Sequence, residues 1–306
     1  MSVERLFYRL TDVNASATAV RPLPELLESL RAKGLRRGVG PMAGEAVAAP
    51  SPSNRGAIPS GFSALDDALR TGGWPRGCLA LLDAPRGSGA TSLAIGSLAA
   101  AQQAGGIVAW IDAAGCLDAA TAERLGIQLE WLLVVRPTSA LEAIELAGWL
   151  ARSGLVDAMA LDLGESPDPA GGERPPELVA GLDRLGQLLV RGRSVTLLLT
   201  GEWLRAAVAR GVGVRLALER EAWLAVGRDL VGQRIRATVT RHRWALAGET
   251  AWIDLWFGEG RRIDALLPPL AVPREAAPAL LPALAPDAAI AEAEPEEQPA
   301  LRVLSA

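Results

Sequence analysis

With 306 residues, half of them apolar, the chain is long enough for one full α/β domain with extensions and has ample material for a large core. Its net charge is −4, Arg, Asp or Glu breaks each apolar run before it could span a bilayer, and no block is basic enough to demand nucleic acid. Cys78 and Cys116 lack metal-ligand spacing, and Glu4, Arg5 and Arg9 make the N-terminus unlike a signal peptide, so a reduced, cytoplasmic setting away from membranes is expected.

Residues 1–40 read as an N-terminal arm. Pro24 can open a short helix, Glu25 to Lys33, in which Leu26, Leu27 and Leu30 form an apolar stripe and Gly34 supplies the stop. Residues 41–57, with Pro50, Ser51, Pro52, Ser53, Asn54 and Gly56, read as a linker. From residue 58 to 267 the pattern is that of a core in which strands and helices alternate. Strands are predicted at Cys78–Asp83, Ile107–Asp112, Leu132–Val135, Ala158–Asp162 and Val195–Thr200. Helices are predicted between them at Thr91–Ala104, Ala119–Leu125, Leu141–Arg152 and Leu178–Arg191. This order predicts a doubly wound, mostly parallel sheet with helices on both faces.

After Gly213 the predicted strands follow one another directly: Val214–Glu219, Ala222–Val226, Ile235–Arg243 and Ala251–Phe257. They should form antiparallel strands at the sheet edge. Residues 268–306, rich in Pro, Ala and Glu, are expected to be a disordered acidic tail, with Leu280, Leu281, Leu284, Leu301, Val303 and Leu304 as short apolar anchors. Trp110, Trp131, Trp149, Trp223, Trp244, Trp252 and Trp256 fall on predicted elements and are expected mostly in the core. His242, the only histidine, is expected to be structural.

The chemistry concentrates where the strand ending at Asp83 runs into Ala84-Pro85-Arg86-Gly87-Ser88-Gly89-Ala90-Thr91-Ser92 and then a helix. Strand, glycine-rich turn and helix together make a phosphate-binding loop, because glycines let backbone N–H groups curl around an anion at a helix N-terminus. The loop pattern requires Gly, four residues, then Gly-Lys-[Ser/Thr]. Here Ala84 replaces the first Gly, Gly89 and Thr91 fit, and Ala90 stands at the lysine position. On spacing alone, a glycine turn capping a helix is an equally good account.

The flanks favour the loop. Ile58 to Leu69 and Gly72-Gly73-Trp74-Pro75-Arg76-Gly77 resemble the approach to the phosphate loop in RecA recombinases. Ile111-Asp112-Ala113-Ala114-Gly115-Cys116-Leu117-Asp118 resembles that family's Ile-Asp-Ala-Glu-His-Ala-Leu-Asp segment. Leu150 to Asp157, leading to Asp162, resembles its approach to Walker B. Val231-Gly232, Ile235–Thr240 and Phe257-Gly258-Glu259-Gly260 are similar to its last core strands. The resemblance runs from about residue 58 to 265 and implies a RecA-like P-loop ATPase core without the family's C-terminal domain.

The resemblance also implies that the catalytic set is dismantled. Ala90 replaces the phosphate-binding lysine, Ala114 the water-activating glutamate, and Thr121 the tyrosine that stacks on adenine. Glu202 or Trp203 stands where a γ-phosphate-sensing glutamine belongs. Arg86, Gly87, Ser88, Gly89, Thr91 and Asp162 remain as a vestigial nucleotide site, with Thr91 and Asp162 as magnesium contacts. Lys33 is the only lysine, so within the core Arg86 alone is a candidate substitute cation. No ATPase is expected and no cofactor is required, although weak ATP and magnesium binding stays open.

Of the two segments that correspond to RecA's DNA-binding loops, Gly164–Pro176 carries Glu165, Asp168 and Glu173 against Arg174. The second, Gly201–Gly213, offers Trp203, Arg205 and Arg210 as a candidate DNA loop. Arg241 and Arg243 fall where RecA places two lysines that reach into a neighbouring subunit. With Leu26, Leu27 and Leu30 they form the candidate partner interface.

A degenerate, truncated RecA core is similar to the ImuA family of bacterial mutagenesis cassettes. That resemblance implies a non-catalytic accessory protein of the SOS DNA-damage response, working with RecA and an ImuB-like Y-family polymerase relative in translesion synthesis. The alternatives are a RecA paralogue that binds ATP and single-stranded DNA as a recombination mediator, and a regulator that caps RecA filaments.

Overall fold

Alternation of side chains along the central strands decides the architecture. The computed structural model describes residues 7–9, 20–22, 56–164, 175–205, 207–208, 211–226, 228–257 and 301–305. A short antiparallel ribbon, β1 (Phe7–Arg9) with β2 (Val20–Pro22), precedes the core. A second ribbon pairs β3 (Ala57–Ile58) with β4 (Trp74–Pro75), with α1 (Ser63–Leu69) between them. Then follow β5 (Leu79–Asp83), α2 (Ala90–Gln103), β6 (Val108–Asp112), α3 (Ala119–Arg124) and β7 (Leu132–Val135). The core continues with α4 (Ala140–Ser153), β8 (Ala158–Asp162), α5 (Pro175–Arg191), β9 (Val195–Leu199) and the short α6 (Glu202–Arg205). Its last strands are β10 (Val214–Val226), β11 (Asp229–His242) and β12 (Thr250–Trp256), and β13 (Leu301–Ser305) comes at the end.

The main sheet runs β12-β11-β10-β5-β9-β8-β6-β7, with β13 on β10. From β10 to β7 every neighbouring pair is parallel, while β11 and β12 add antiparallel strands on one side. Both sheet faces are covered, as continuous apolar strands such as Leu79-Ala80-Leu81-Leu82 require. Ala80, Leu82, Val108, Trp110, Ala158 and Ala160 face one core with α2 and α3. Leu79, Leu81, Ala109, Ile111, Met159 and Leu161 face the other with α4 and α5. Helix α5 turns Leu178, Leu182, Leu185 and Leu189 inward, all fully buried, and each buried leucine contributes about 1.5–3 kcal/mol.

Beneath the sheet Asp157 ties three segments together. Its carboxylate accepts from Arg76 Nη1 at 2.8 Å and from the Ile107 N–H at 3.2 Å, and its carbonyl accepts from Val195 N–H. Trp74 is fully buried, its indole N–H donating to Ser97 Oγ at 3.0 Å and fixing the entry ribbon to α2.

Three expectations are corrected. Val214–Glu219 and Ala222–Val226 are one strand, β10, because the expected break at Arg220–Glu221 is a register shift opposite β11. The segment expected to be a disordered tail contains β13, since β10 outruns β5 and leaves an edge at Ala222–Val226 that residues 301–305 pair with. Trp252 is 45% exposed, because it stands on the outward face of β12 opposite Arg236. The proposed helix with Leu26, Leu27 and Leu30 lies outside the described residues, as do residues 41–55 and 268–300. Among the described residues no helix is long and apolar enough to cross a membrane.

Candidate functional site

Strand β5 stands between β9 and β10, so the crevice at its C-terminal end is where an open α/β sheet places a ligand. The chain leaves β5 at Asp83 and turns through residues 84–89 into α2. Gly89 precedes the helix with φ 83°, a left-handed conformation natural to glycine. A Cβ there would lie 2.3 Å from Leu255 Cδ1 and 2.7 Å from the end of the Gln233 amide. Within the turn Ser88 N–H and Oγ both donate to the Pro85 carbonyl, at 3.1 and 2.6 Å.

Above the turn opens a cleft of about 780 Å³ that gathers residues from six segments. Residues 84–87 and 89–92 of the loop, Ala114 and Cys116 after β6, Thr138 and Ser139 before α4, Asp162 and Gly164 after β8, and Thr200 and Trp203 after β9 line it, with Gln233 from β11. The sequence-predicted loop residues Arg86, Gly87, Gly89, Ala90 and Thr91 thus meet Ala114 and Asp162 in one place. Ser88 sits just beneath, 4% exposed. Arg86 is exposed and is the cationic residue among the described walls.

Each wall has a local reason. Asp112, 1% exposed, accepts from the Cys116 and Leu117 N–H groups and from Arg136 Nε at 3.3 Å, which bends the chain so that Ala114 faces the cleft. Asp162, in register beside Asp112, accepts the Gly164 N–H at 3.0 Å. Asp118 caps α3 through the Ala120 and Thr121 N–H groups and the Thr121 hydroxyl. That hydroxyl bond, ahead of the other contacts, lowers the Asp118 pKa. Thr121 is therefore part of a helix cap. Ser139 caps α4 by accepting Glu142 N–H at 3.1 Å, and Glu142 reaches back to Thr138.

The candidate DNA residues turn toward the protein. Trp203 Nε1 donates to the Gly164 carbonyl at 3.4 Å, and the ring packs on the core beneath α4 and α5. Arg205 pairs with Asp83 at 3.3 Å, and Arg215 pairs with the same carboxylate at 2.6 Å. Arg210 lies outside the described residues. Arg241 and Arg243 are both exposed at the end of β11, Arg243 standing 5.9 Å over the Trp244 ring. His242 between them accepts the Trp244 N–H at 3.1 Å on Nδ1, and burial lowers its pKa.

Two features escaped sequence reasoning. Arg220 lies 4.3 Å over the Trp223 ring with Nη1 3.5 Å from the Gly87 carbonyl, so a second cation stands beside the loop. Gln233 meets the loop backbone directly. It could have been suspected, because it is the polar residue in the buried alternation Gln233, Ile235, Ala237, Val239.

Comparison with known proteins agrees with this layout. The family model of the RecA N-terminal domain matches residues 47–167. The RecA protein of Thermus thermophilus is 31% identical over 229 residues, covering 66% of this chain and 67% of that protein. RecA of Bacillus subtilis is 30% identical over 228 residues, 66% of each chain, and RecA of a Nocardioides species is 33% identical over 228 residues, 66% of this chain and 65% of that protein. The matched region spans about two thirds of the length of these relatives. With the strand order, the loop at the tip of β5 and this similarity taken together, the chain belongs to the RecA family.

Proposed function

We propose that this protein is a non-catalytic RecA-family accessory factor of the SOS DNA-damage response, similar to ImuA, that joins RecA to an ImuB-like Y-family polymerase relative. The observation that carries the reading is the pair Ala90 and Ala114, which line one cleft at the positions where the resemblance implies an ammonium and a carboxylate. A hydrogen bond to a charged group is worth about 1.5–3 kcal/mol, or roughly 10- to 150-fold in affinity. A positioned general base contributes on the order of 10²–10⁴ in rate. Loss of both removes most of the means of ATP turnover, and the donor chemistry of the walls fits a magnesium triphosphate poorly. Thr91 and Asp162 still line the cleft, which favours a second reading, a RecA paralogue with residual ATP and single-stranded DNA binding.

The commitment of Arg205 to Asp83 supports a protein-binding role over a DNA-binding one, because its side chain, 15% exposed, is turned to the carboxylate and away from solvent. Arg241 and Arg243 are exposed at the positions where the resemblance implies contact with a neighbouring RecA subunit. The test is binding of this protein to a RecA filament from the same cells. Arg241→Glu with Arg243→Glu should weaken binding at least ten-fold, with a melting curve like that of the unmodified protein. Unchanged affinity in a well-folded double variant refutes docking through this strand end.

A further inference from the structure

Gln233 is buried, 4% exposed, in the register of Ile235, Ala237 and Val239, yet it lies at the cleft and not in the apolar interior. Both ends of its carboxamide are used. The nitrogen donates to the Gly87 carbonyl at 3.1 Å, and the oxygen accepts the Gly89 N–H at 3.3 Å. This orientation is assigned from the partners, since the reverse would set oxygen against carbonyl and NH₂ against N–H.

In a glycine turn before a helix, backbone N–H groups are the donors that hold an anion. Here the Gly89 N–H is committed to Gln233, and the Ser88 N–H to the Pro85 carbonyl. Leu255 packs on the same glycine beside the amide.

We infer that the Gln233 carboxamide is a built-in substitute for a bound phosphate: its oxygen takes the Gly89 donor, and its NH₂ ties Gly87, so the loop keeps its shape without a ligand. The inference rests on the non-catalytic reading of the cleft and deepens it. Alanine stands at the position of the loop's lysine, and two of the loop's N–H donors, those of Ser88 and Gly89, are also satisfied from within. An entering phosphate must displace Gln233 from Gly89 to gain that donor, and in doing so breaks the bond to Gly87. Gln233 is thus a positioning residue that sets the loop against anions.

The experiment compares binding of inorganic pyrophosphate, and of ATP with magnesium, by calorimetry and by thermal shift. The proteins are the unmodified chain, Ala90→Lys, Gln233→Ala and the double variant. The double variant should bind pyrophosphate roughly ten-fold more tightly than Ala90→Lys, the worth of one backbone donor released to the ligand. Gln233→Ala alone should melt lower without ligand and gain more from pyrophosphate than the unmodified chain gains. Gln233→Glu, of similar size but anionic, should bind more weakly than Gln233→Ala. Should Gln233→Ala not fold, Gln233→Met keeps the volume, removes the amide and serves in the same comparison. Equal pyrophosphate affinity in the presence and absence of Gln233 overturns the inference. ATP turnover by the unmodified chain would instead overturn the non-catalytic reading, and calorimetry separates the two failures.

Discussion

Replacing Asp83 by Ala should destabilise the protein through two stranded arginines. Asp83 closes β5 directly below the loop, and its carboxylate holds Arg215 through Nε at 2.9 Å and Nη2 at 2.6 Å, and Arg205 at 3.3 Å. The three side chains are 25%, 29% and 15% exposed, so solvent screens these pairs less than a surface bridge. Hydrogen bonds to charged groups contribute about 1.5–3 kcal/mol each, and loss of the shared acceptor leaves two partly buried cations without compensation. The expected cost is about 2–4 kcal/mol, or a fall in Tm of roughly 4–16 °C at about 2–4 °C per kcal/mol. Urea unfolding followed by tryptophan fluorescence reads this as a shift in midpoint at constant slope. Glu219→Ala is the control. It removes the partner of Arg236 in a bridge whose side chains are 60% and 48% exposed, and it should cost under about 1 kcal/mol. An Asp83→Ala protein no less stable than the control would refute the reasoning.

Two further outcomes follow from single side chains. Cys116 is exposed in the cleft wall, whereas Cys78 is buried and its thiol pKa is pushed well above the usual range by desolvation. A thiol reagent should therefore modify one cysteine of the native protein, and saturating pyrophosphate should slow that reaction more in Gln233→Ala than in the unmodified chain. Burial depresses the His242 pKa, so the unfolded chain binds this proton more readily than the folded one. This contribution to stability is complete above the ordinary histidine pKa of about 6.5 and is lost as pH falls through the lower folded value. Denaturation between pH 7 and pH 5 should show that decline, and His242→Gln should flatten it.

The core was legible because its strands are buried on both faces and its helices carry clear stops. Leu79 to Leu82 could hardly be anything but a central strand before the glycine turn, and Ser139 and Gly154 bracket α4 by their chemistry. The continuity of β10 was not legible, because Glu219-Arg220-Glu221 reads as a turn when nothing shows that β11 will pair alongside it. The exposure of Trp252 was hidden for a similar reason: tryptophan on a strand gives no sign of which face is covered. At the site, Ala90 and Ala114 could be read directly as alanines at the positions where the resemblance implies a lysine and a glutamate. The contacts of Arg205 with Asp83 and of Gln233 with the loop join residues far apart in sequence and appear only when β5, β10 and β11 lie side by side.

The central claim is that this RecA-family core does not turn over ATP, and steady-state phosphate release by the purified chain tests it most directly. The measurement requires magnesium and ATP, with and without single-stranded DNA, beside Ala90→Lys and a catalytically active RecA protein. The account predicts release indistinguishable from a no-protein blank in both conditions. It also predicts that Ala90→Lys improves nucleotide binding without restoring turnover, because Ala114 still offers no base. DNA-stimulated release by the unmodified chain at a rate comparable to the active RecA protein would contradict it.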